Sequence, residues 1–104
     1  MLDYQRLARE APEIADRFQN GDPIRHVVIE HFLDEPAALA AARAFPDPKT
    51  MEIAFAGLPE VKNAEQRIDL LDPVFQEIFH ELRSQRFMDW LSAVTQIPGL
   101  IADP

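Results

Sequence analysis

Residues 71–94, LDPVFQEIFHELRSQRFMDWLSAV, contain two helix starts in succession and indicate the fold class. Asp72 is a typical helix N-cap, Pro73 suits the first helical position, and Ser84 is a second N-cap candidate. Apolar side chains follow each cap at steps of three and four residues, which is the spacing of one helix face. The stretch therefore predicts two amphipathic helices. Their apolar faces consist of Val74, Phe75, Ile78, Phe79 and Leu82 in the first, and Phe87, Trp90, Leu91 and Val94 in the second.

Further helix starts precede this stretch. Asp3 is the predicted cap of a short helix over residues 4–10, and Pro12 is predicted to begin a separate helix that ends near Asn20. Asp34, followed by an acidic residue and a proline, is the predicted cap of an alanine-rich helix that the next prolines stop. The small side chains of that helix would let another element approach closely.

Two segments between the helices have the composition of strands. Residues 26–32, HVVIEHF, are rich in β-branched and aromatic side chains and form the clearest strand candidate. Residues 50–56, TMEIAFA, are a weaker strand candidate or an extended loop. A single strand leaves its backbone groups unpaired, so residues 26–32 need a partner strand. That partner is the other segment, a strand of another chain, or a strand in a missing part of this chain, and we favour the last. The sequence predicts a mainly α fold with one or two strands (α+β), in a single helical segment, residues 1–104.

The charge balance narrows the classes of partner. The chain carries 18 acidic and 10 basic side chains, a net charge of −8, whereas nucleic acids and anionic membranes attract basic faces. We therefore expect neither as a partner. There is no cysteine, and hence no disulfide or thiolate metal site. The N-terminal residues lack an apolar signal core and no apolar run approaches the length of a membrane span, so a cytoplasmic setting is expected.

Three histidines are the natural candidates for chemistry, but none lies in a known catalytic pattern. On a strand, His26 and Glu30 would share one face, and His80 follows Phe79 on the helix that starts after Asp72. Because the same segment offers no third ligand, the pair of His26 and Glu30 is more typical of a hydrogen bond than of a metal site. An enzyme that uses His26, Glu30 and His80 is the least favoured reading, and no catalytic, cofactor-binding or metal-binding residue is assigned. Phosphate loops, nucleophile elbows and H-E-x-x-H pairs are absent from the sequence.

Three segments, in this order, are similar to the N-terminal region of bacterial non-haem Fe(II)/2-oxoglutarate-dependent oxygenases of the prolyl 4-hydroxylase-like group. They are residues 25–46, residues 71–104 and the less regular stretch that joins them. Residues 26–33 match the family's strand "H-x-V-I-D-x-F-L", with Glu30 in the acidic place, and an alanine-rich helix ending in Phe-Pro follows. The family's later "S-x-x-F-x-x-W-L" and "T-G-I-P-G-L-x-x-D-P" are matched, except that Gln96 replaces the first glycine. The matching residues there are Ser84, Phe87, Trp90, Leu91, Thr95, Ile97, Pro98, Gly99, Leu100, Asp103 and Pro104.

The resemblance implies that a catalytic double-stranded β-helix barrel, after residue 104 or on a separate chain, completes the enzyme. The barrel would carry the iron ligands as His-x-Asp and a distant His, with a basic residue for 2-oxoglutarate. This chain has no H-x-D or H-x-E, because the residues two positions after its histidines are Val28, Leu33 and Leu82. Fe(II) and 2-oxoglutarate are thus implied for the complete enzyme, and no cofactor is expected in this chain.

The role implied for the chain is structural, with helices on the outer face of the barrel's major sheet and residues 26–30 at that sheet's edge. The chain would then be a truncated piece, a proteolytic fragment or one subunit of a split enzyme. Left uncovered, its apolar faces would promote self-association. The alternative is a free-standing acidic α-helical interaction module that binds a partner helix or strand. The residues expected at the partner or barrel interface are Val28, Phe75, Ile78, Phe79, Phe87, Trp90, Leu91, Ile97 and Leu100.

Overall fold

The computed structural model describes residues 1–56 and 61–103, and these residues are mainly helical. Two short 3₁₀ turns, Pro48–Thr50 and Ile68–Leu70, flank the strands. The regular elements, in chain order, are α1 (Tyr4–Gln19), α2 (Glu35–Arg43), β1 (Ile53–Ala56), β2 (Val61–Ala64), α3 (Pro73–Leu82) and α4 (Gln85–Thr95). The predicted α+β class with a helical majority is confirmed.

Every predicted helix cap is confirmed by a side-chain hydrogen bond. The carboxylates of Asp3 and Asp34 accept from backbone N–H groups three residues on, at 3.1 and 2.8 Å. Asp72 accepts from Val74 N–H at 3.0 Å, and Ser84 Oγ accepts from Phe87 N–H at 3.1 Å. Each cap satisfies a donor that the first helical turn leaves without a partner, which is why the helices begin where the sequence indicates.

The first helix is continuous, and the prediction of two separate helices before residue 21 is wrong. Pro12 lies inside α1, where it removes one backbone hydrogen bond. Leu7 and Ile14, on either side of that proline, are 2% and 3% exposed and belong to one buried stripe. Because α1 packs along α4 over its length, burial of this stripe outweighs the cost of the proline.

The core lies between α1 and α4. Its buried apolar side chains, among the described residues, are Leu7, Ile14, Phe87 and Val94. Trp90 stacks on Phe87 with ring centroids 5.8 Å apart, and its indole Nε1–H donates to the carbonyl oxygen of Leu7 at 2.8 Å. This bond satisfies the one polar atom of the indole and fixes the two helices against each other.

The second helical pair is more loosely covered. α2 packs on α3, and Phe45, just after α2, meets Phe75 edge to face with ring centroids 6.2 Å apart. Neither α2 nor α3 contributes a fully buried side chain among the described residues. The side chains between α2 and α3 therefore remain partly exposed, in contrast to those between α1 and α4.

Residues 50–56 were predicted to be a weaker strand or an extended loop, and their second half, Ile53–Ala56, forms strand β1, whose partner was missed. β1 pairs antiparallel with β2, and Ile53 lies opposite Ala64. At the open end of this hairpin, Arg67 Nη2–H donates to Glu65 Oε1 at 2.6 Å. The guanidinium of Arg67 lowers the pKa of the Glu65 carboxyl to about 2. The hairpin thus forms its own small sheet and does not pair with residues 26–32.

The predicted strand over residues 26–32 is wrong. Residues 25–29 have no strand partner in the described part of the chain, and a turn follows at Glu30 and His31. His31 has a φ of 53°, which ends the run. The β-branched residues gave the segment its strand composition, but a ladder also needs a neighbouring strand, and the neighbour here is a helix.

Candidate binding surface

Residues 25–31 run back along α1 in the opposite direction. The chain reverses at Gly21, where a β-carbon would overlap the backbone nitrogen of His26, so the turn needs glycine. At the far end, the Asp34 N–H donates to the carbonyl oxygen of Met1 at 2.9 Å. The segment is therefore held beside α1 at both ends, and we call residues 25–31 the edge segment.

Two arginines of α1 hold the backbone of the edge segment. Arg6 donates from Nη1 to the carbonyl oxygen of His31 and from Nη2 to that of Glu30, both at 2.9 Å. Arg17 Nη2 donates to the carbonyl oxygen of Val28 at 2.9 Å. The two arginines are eleven residues apart, three helical turns, so they project from the same side of α1. Sequence reasoning missed them, although this spacing was a signal that could have found them.

The opposite edge of the segment has free backbone groups. The carbonyls of Val28 and Glu30, two residues apart, both accept from arginines of α1, which is the alternation of an extended chain and places those of Val27 and Ile29 on the other edge. The alternation ends at the turn, where the His31 carbonyl also accepts from Arg6. Within the described residues, neither the N–H nor the C=O of Val27 or Ile29 forms a hydrogen bond. One edge is thus occupied by arginine side chains and the other is open to a strand.

An apolar groove of about 440 Å³ lies beside this open edge. Val27 and Ile29 line one side of it, and Trp90 and Val94 of α4 line another. Phe32 closes one end and meets Phe87 edge to face, with ring centroids 5.9 Å apart. Free backbone donors and acceptors beside an apolar groove are the two features that an added β-strand uses for binding.

The structure divides the nine predicted interface residues between several places. The groove brings Phe87, Trp90 and Leu91 together beside the edge segment, and Phe87 is buried there. Val28 is 68% exposed on the outer face of the same segment. The remaining five do not line this groove: Phe75, Ile78 and Phe79 lie on α3, and Ile97 and Leu100 follow α4. Phe79 and Ile97 are exposed, and the other three are half-buried.

The histidines do not form a metal centre with neighbouring acids. Among residues 1–56 and 61–103, no group of three or more His, Asp or Glu side chains is placed to hold a metal ion. His26 Nδ1 lies 2.8 Å from the carbonyl oxygen of Ile24, an ordinary local hydrogen bond. The donor set of the described residues does not fit the two-histidine, one-carboxylate arrangement that non-haem Fe(II) oxygenases use. No catalytic step is therefore derived from it.

The C-terminal motif takes the conformation of a helix stop. α4 ends at Gln96, which adopts the left-handed conformation at φ 60° and ψ 25°. The N–H of Leu100 then donates to Ser92 Oγ at 3.1 Å, which folds the following residues back onto the helix. Pro104, the last residue of the motif, lies outside the described residues. The motif residues thus form a turn that follows α4 directly.

Comparisons with known proteins add no family to these observations. The chain matches no protein-family model, no curated protein and no solved structure. No helix in the described ranges is both long and apolar enough to cross a membrane. The resemblance to 2-oxoglutarate oxygenases therefore remains a hypothesis, supported by the sequence motifs.

Proposed function

We propose that this chain is the helical scaffold of a non-haem Fe(II)/2-oxoglutarate-dependent oxygenase and that it covers a catalytic barrel which supplies the iron ligands. The proposal draws the identity of the partner from the sequence motifs at residues 26–46 and 84–104. It draws the structural role from the amount of surface that the chain leaves uncovered. In this role the chain binds no iron and contributes no group to the reaction.

The excess of accessible surface is the observation that carries the proposal. A folded monomer of 11.9 kDa exposes about 6,000 Å². This chain exposes 7811 Å² and has a radius of gyration of 16.3 Å, against about 13 Å for a compact domain of this length. The difference in area, roughly 1,800 Å², is about twice what one partner buries in a standard protein interface. This excess supports the proposal that the chain is one layer of a larger assembly.

The uncovered surface is rich in large apolar side chains. The described residues bury four hydrophobic side chains and expose ten large ones. The exposed ones are Ile24, Val28, Leu39, Phe45, Ile53, Leu70, Phe79, Leu82, Ile97 and Ile101. Burying even 400 Å² of such surface would contribute about 10 kcal/mol before the entropic cost of association. A partner layer is thus energetically favoured.

The experiment is to extend the chain and test for the missing chemistry. The coding DNA after residue 104 and the adjacent genes are expected to encode a segment with H-x-D and a later His. The extended or co-expressed protein is then expected to bind Fe(II) together with 2-oxoglutarate, which is visible as a charge-transfer absorption. The same titration on residues 1–104 alone is the control, and it should show no such absorption.

Two results would contradict the proposal. One is the absence of a barrel-encoding segment both in frame and in the neighbouring genes. The other is an extended protein that binds neither Fe(II) nor 2-oxoglutarate although it carries the residues for it. Either result would favour the acidic interaction module instead, with the same uncovered surface serving a different partner.

A further inference from the structure

We infer that the edge segment binds a second copy of this chain by antiparallel strand pairing about a two-fold axis at Val28. This interaction goes beyond the proposed oxygenase role, because it requires only the chain itself. Exposed edges that retain free N–H and C=O groups are the usual sites at which one chain adds to another. Identical edges can pair when the sequence is complementary to itself in the antiparallel direction.

The hydrogen-bonding pattern of the edge permits only certain registers. Val27 and Ile29 have the outward-facing peptide groups, so these two residues must form the hydrogen-bonded pairs. When Val27 of one copy faces Ile29 of the other, both residues exchange N–H···O=C bonds, and symmetry gives four such bonds in total. Val28 then faces Val28 of the second copy as a non-hydrogen-bonded pair on the axis. This register satisfies every free backbone group of these two residues.

The same register matches side chains of complementary chemistry. His26 comes opposite Glu30 of the second copy, where the turn of each chain begins, and the symmetry repeats this pair on the other side of the axis. Val27 faces Ile29, and the two Val28 side chains, each 68% exposed in the single chain, contact each other. Such cross-strand pairs of β-branched and oppositely polar residues stabilise antiparallel sheets. Arg25 and His31 lie outside the paired stretch, because His31 has a φ of 53° and belongs to the turn.

The charge and area of the surface are compatible with this partner. Two copies that each carry a net charge of −8 repel each other at long range. The edge segment, however, holds one arginine and two histidines against a single glutamate, so the contact itself is not acidic. The uncovered area of the whole chain, roughly 1,800 Å², exceeds the share of about 800 Å² that each partner contributes to a standard interface, and the edge segment supplies one part of it.

A strand of the catalytic barrel is the competing occupant of the same edge. The oxygenase resemblance predicts such a strand, whereas the self-complementary register at Val28 favours a second copy. The two occupants differ in stoichiometry, because only a second copy brings the two Val28 residues together. The test therefore uses residues 1–104 alone.

The sharpest test is a single cysteine at the axis. The chain has no cysteine, so Val28→Cys introduces one thiol on an exposed position. Cα atoms of a non-hydrogen-bonded antiparallel pair lie about 4.5 Å apart, within the range that a disulfide spans. Mild oxidation with diamide is expected to convert most of the variant into a covalent dimer on non-reducing gels. Ile24→Cys is the matched control, since its exposed side chain would lie about 25 Å from its symmetry mate and should not cross-link.

A charge exchange tests the register itself. Light scattering of the wild-type chain over a dilution series is expected to approach twice the monomer mass of 11.9 kDa. His26→Glu places two carboxylates opposite each other and should raise the dimer dissociation constant about five- to tenfold. Adding Glu30→Lys to that variant restores opposite charges and should restore the dimer. A monomer at every concentration, equal cross-linking of both cysteine variants, or no rescue by the exchange would each overturn the inference.

Discussion

Gln96 shows how a single backbone conformation marks the end of a helix. It adopts φ 60° at the C-terminus of α4, a region that glycine occupies without cost and that other L-residues enter at about 1 kcal/mol or more. The oxygenase motif that residues 95–104 resemble has glycine at this place. Gln96 nevertheless ends the helix, because Pro98 cannot continue it and the chain folds back to Ser92. The geometry is thus kept at the expense of some stability.

Gln96→Gly is expected to stabilise the chain by about 0.5–1 kcal/mol, because it removes the left-handed strain. Urea unfolding followed by circular dichroism measures the change in the free energy of unfolding. Ala93→Gly is the matched control on the same helix, where the residue is exposed and right-handed. That variant should lose about 1 kcal/mol, because glycine is unfavourable inside helices. Equal effects of the two substitutions would contradict the role assigned to Gln96.

Residue-level signals were the most reliable guide from sequence to structure. The N-caps Asp3, Asp34, Asp72 and Ser84 were all identified correctly, since a cap bonds to the backbone two or three residues away. Pro12 misled the same reasoning. Its local effect is to disfavour helix interiors, but the burial of Leu7 and Ile14 on α4 is not a local property. Local rules therefore fixed where helices begin but not how far they extend.

At the level of elements, the two strand assignments depended on partners distant in sequence. β1 was identified from its alternating pattern, while the pairing with β2 was missed because Val61–Ala64 has few β-branched residues. Residues 26–32 had the better composition, yet they lie beside a helix whose arginines bind their carbonyls. The candidate binding surface was accordingly predicted in part. Val28 and the α4 aromatics were expected, whereas Arg6 and Arg17 were not.

Arg6→Met is expected to lower the free energy of unfolding by about 1–2 kcal/mol, because hydrogen bonds from a charged donor to two carbonyls are lost. Methionine keeps the aliphatic length and a high helix propensity, so the effect isolates the guanidinium. Urea unfolding gives the magnitude. Arg9→Met, on an exposed position of the same helix, is the control and should change stability by less than about 0.5 kcal/mol. Similar losses of stability in both variants would argue against the hydrogen bonds by which Arg6 holds the edge segment.

For the whole molecule, the buried apolar side chains lie in one pair of helices, whereas exposed apolar side chains occur on the other elements. All four buried hydrophobic side chains of the described residues lie on α1 and α4. α2, α3 and the hairpin contribute exposed apolar surface instead. The sequence indicated that the apolar stripes would exceed what the chain can cover. It could not indicate which stripe forms the core, because that depends on how α1 and α4 meet.

Leu7→Ala tests whether the α1–α4 pair alone holds the chain together. Leu7 is 2% exposed, and its carbonyl oxygen accepts the Trp90 indole bond, so a cavity there loosens both helices. Core truncations of this kind cost about 2–5 kcal/mol, a large share of the 5–15 kcal/mol that stabilises an ordinary domain. Because few other side chains are buried, we expect the variant to be largely unfolded, with the fluorescence of the single tryptophan shifted to longer wavelength. Leu70→Ala, at a position 63% exposed, should leave both stability and emission nearly unchanged. A Leu7→Ala variant that unfolds cooperatively with a loss below about 1 kcal/mol would show that the other layers carry stability of their own.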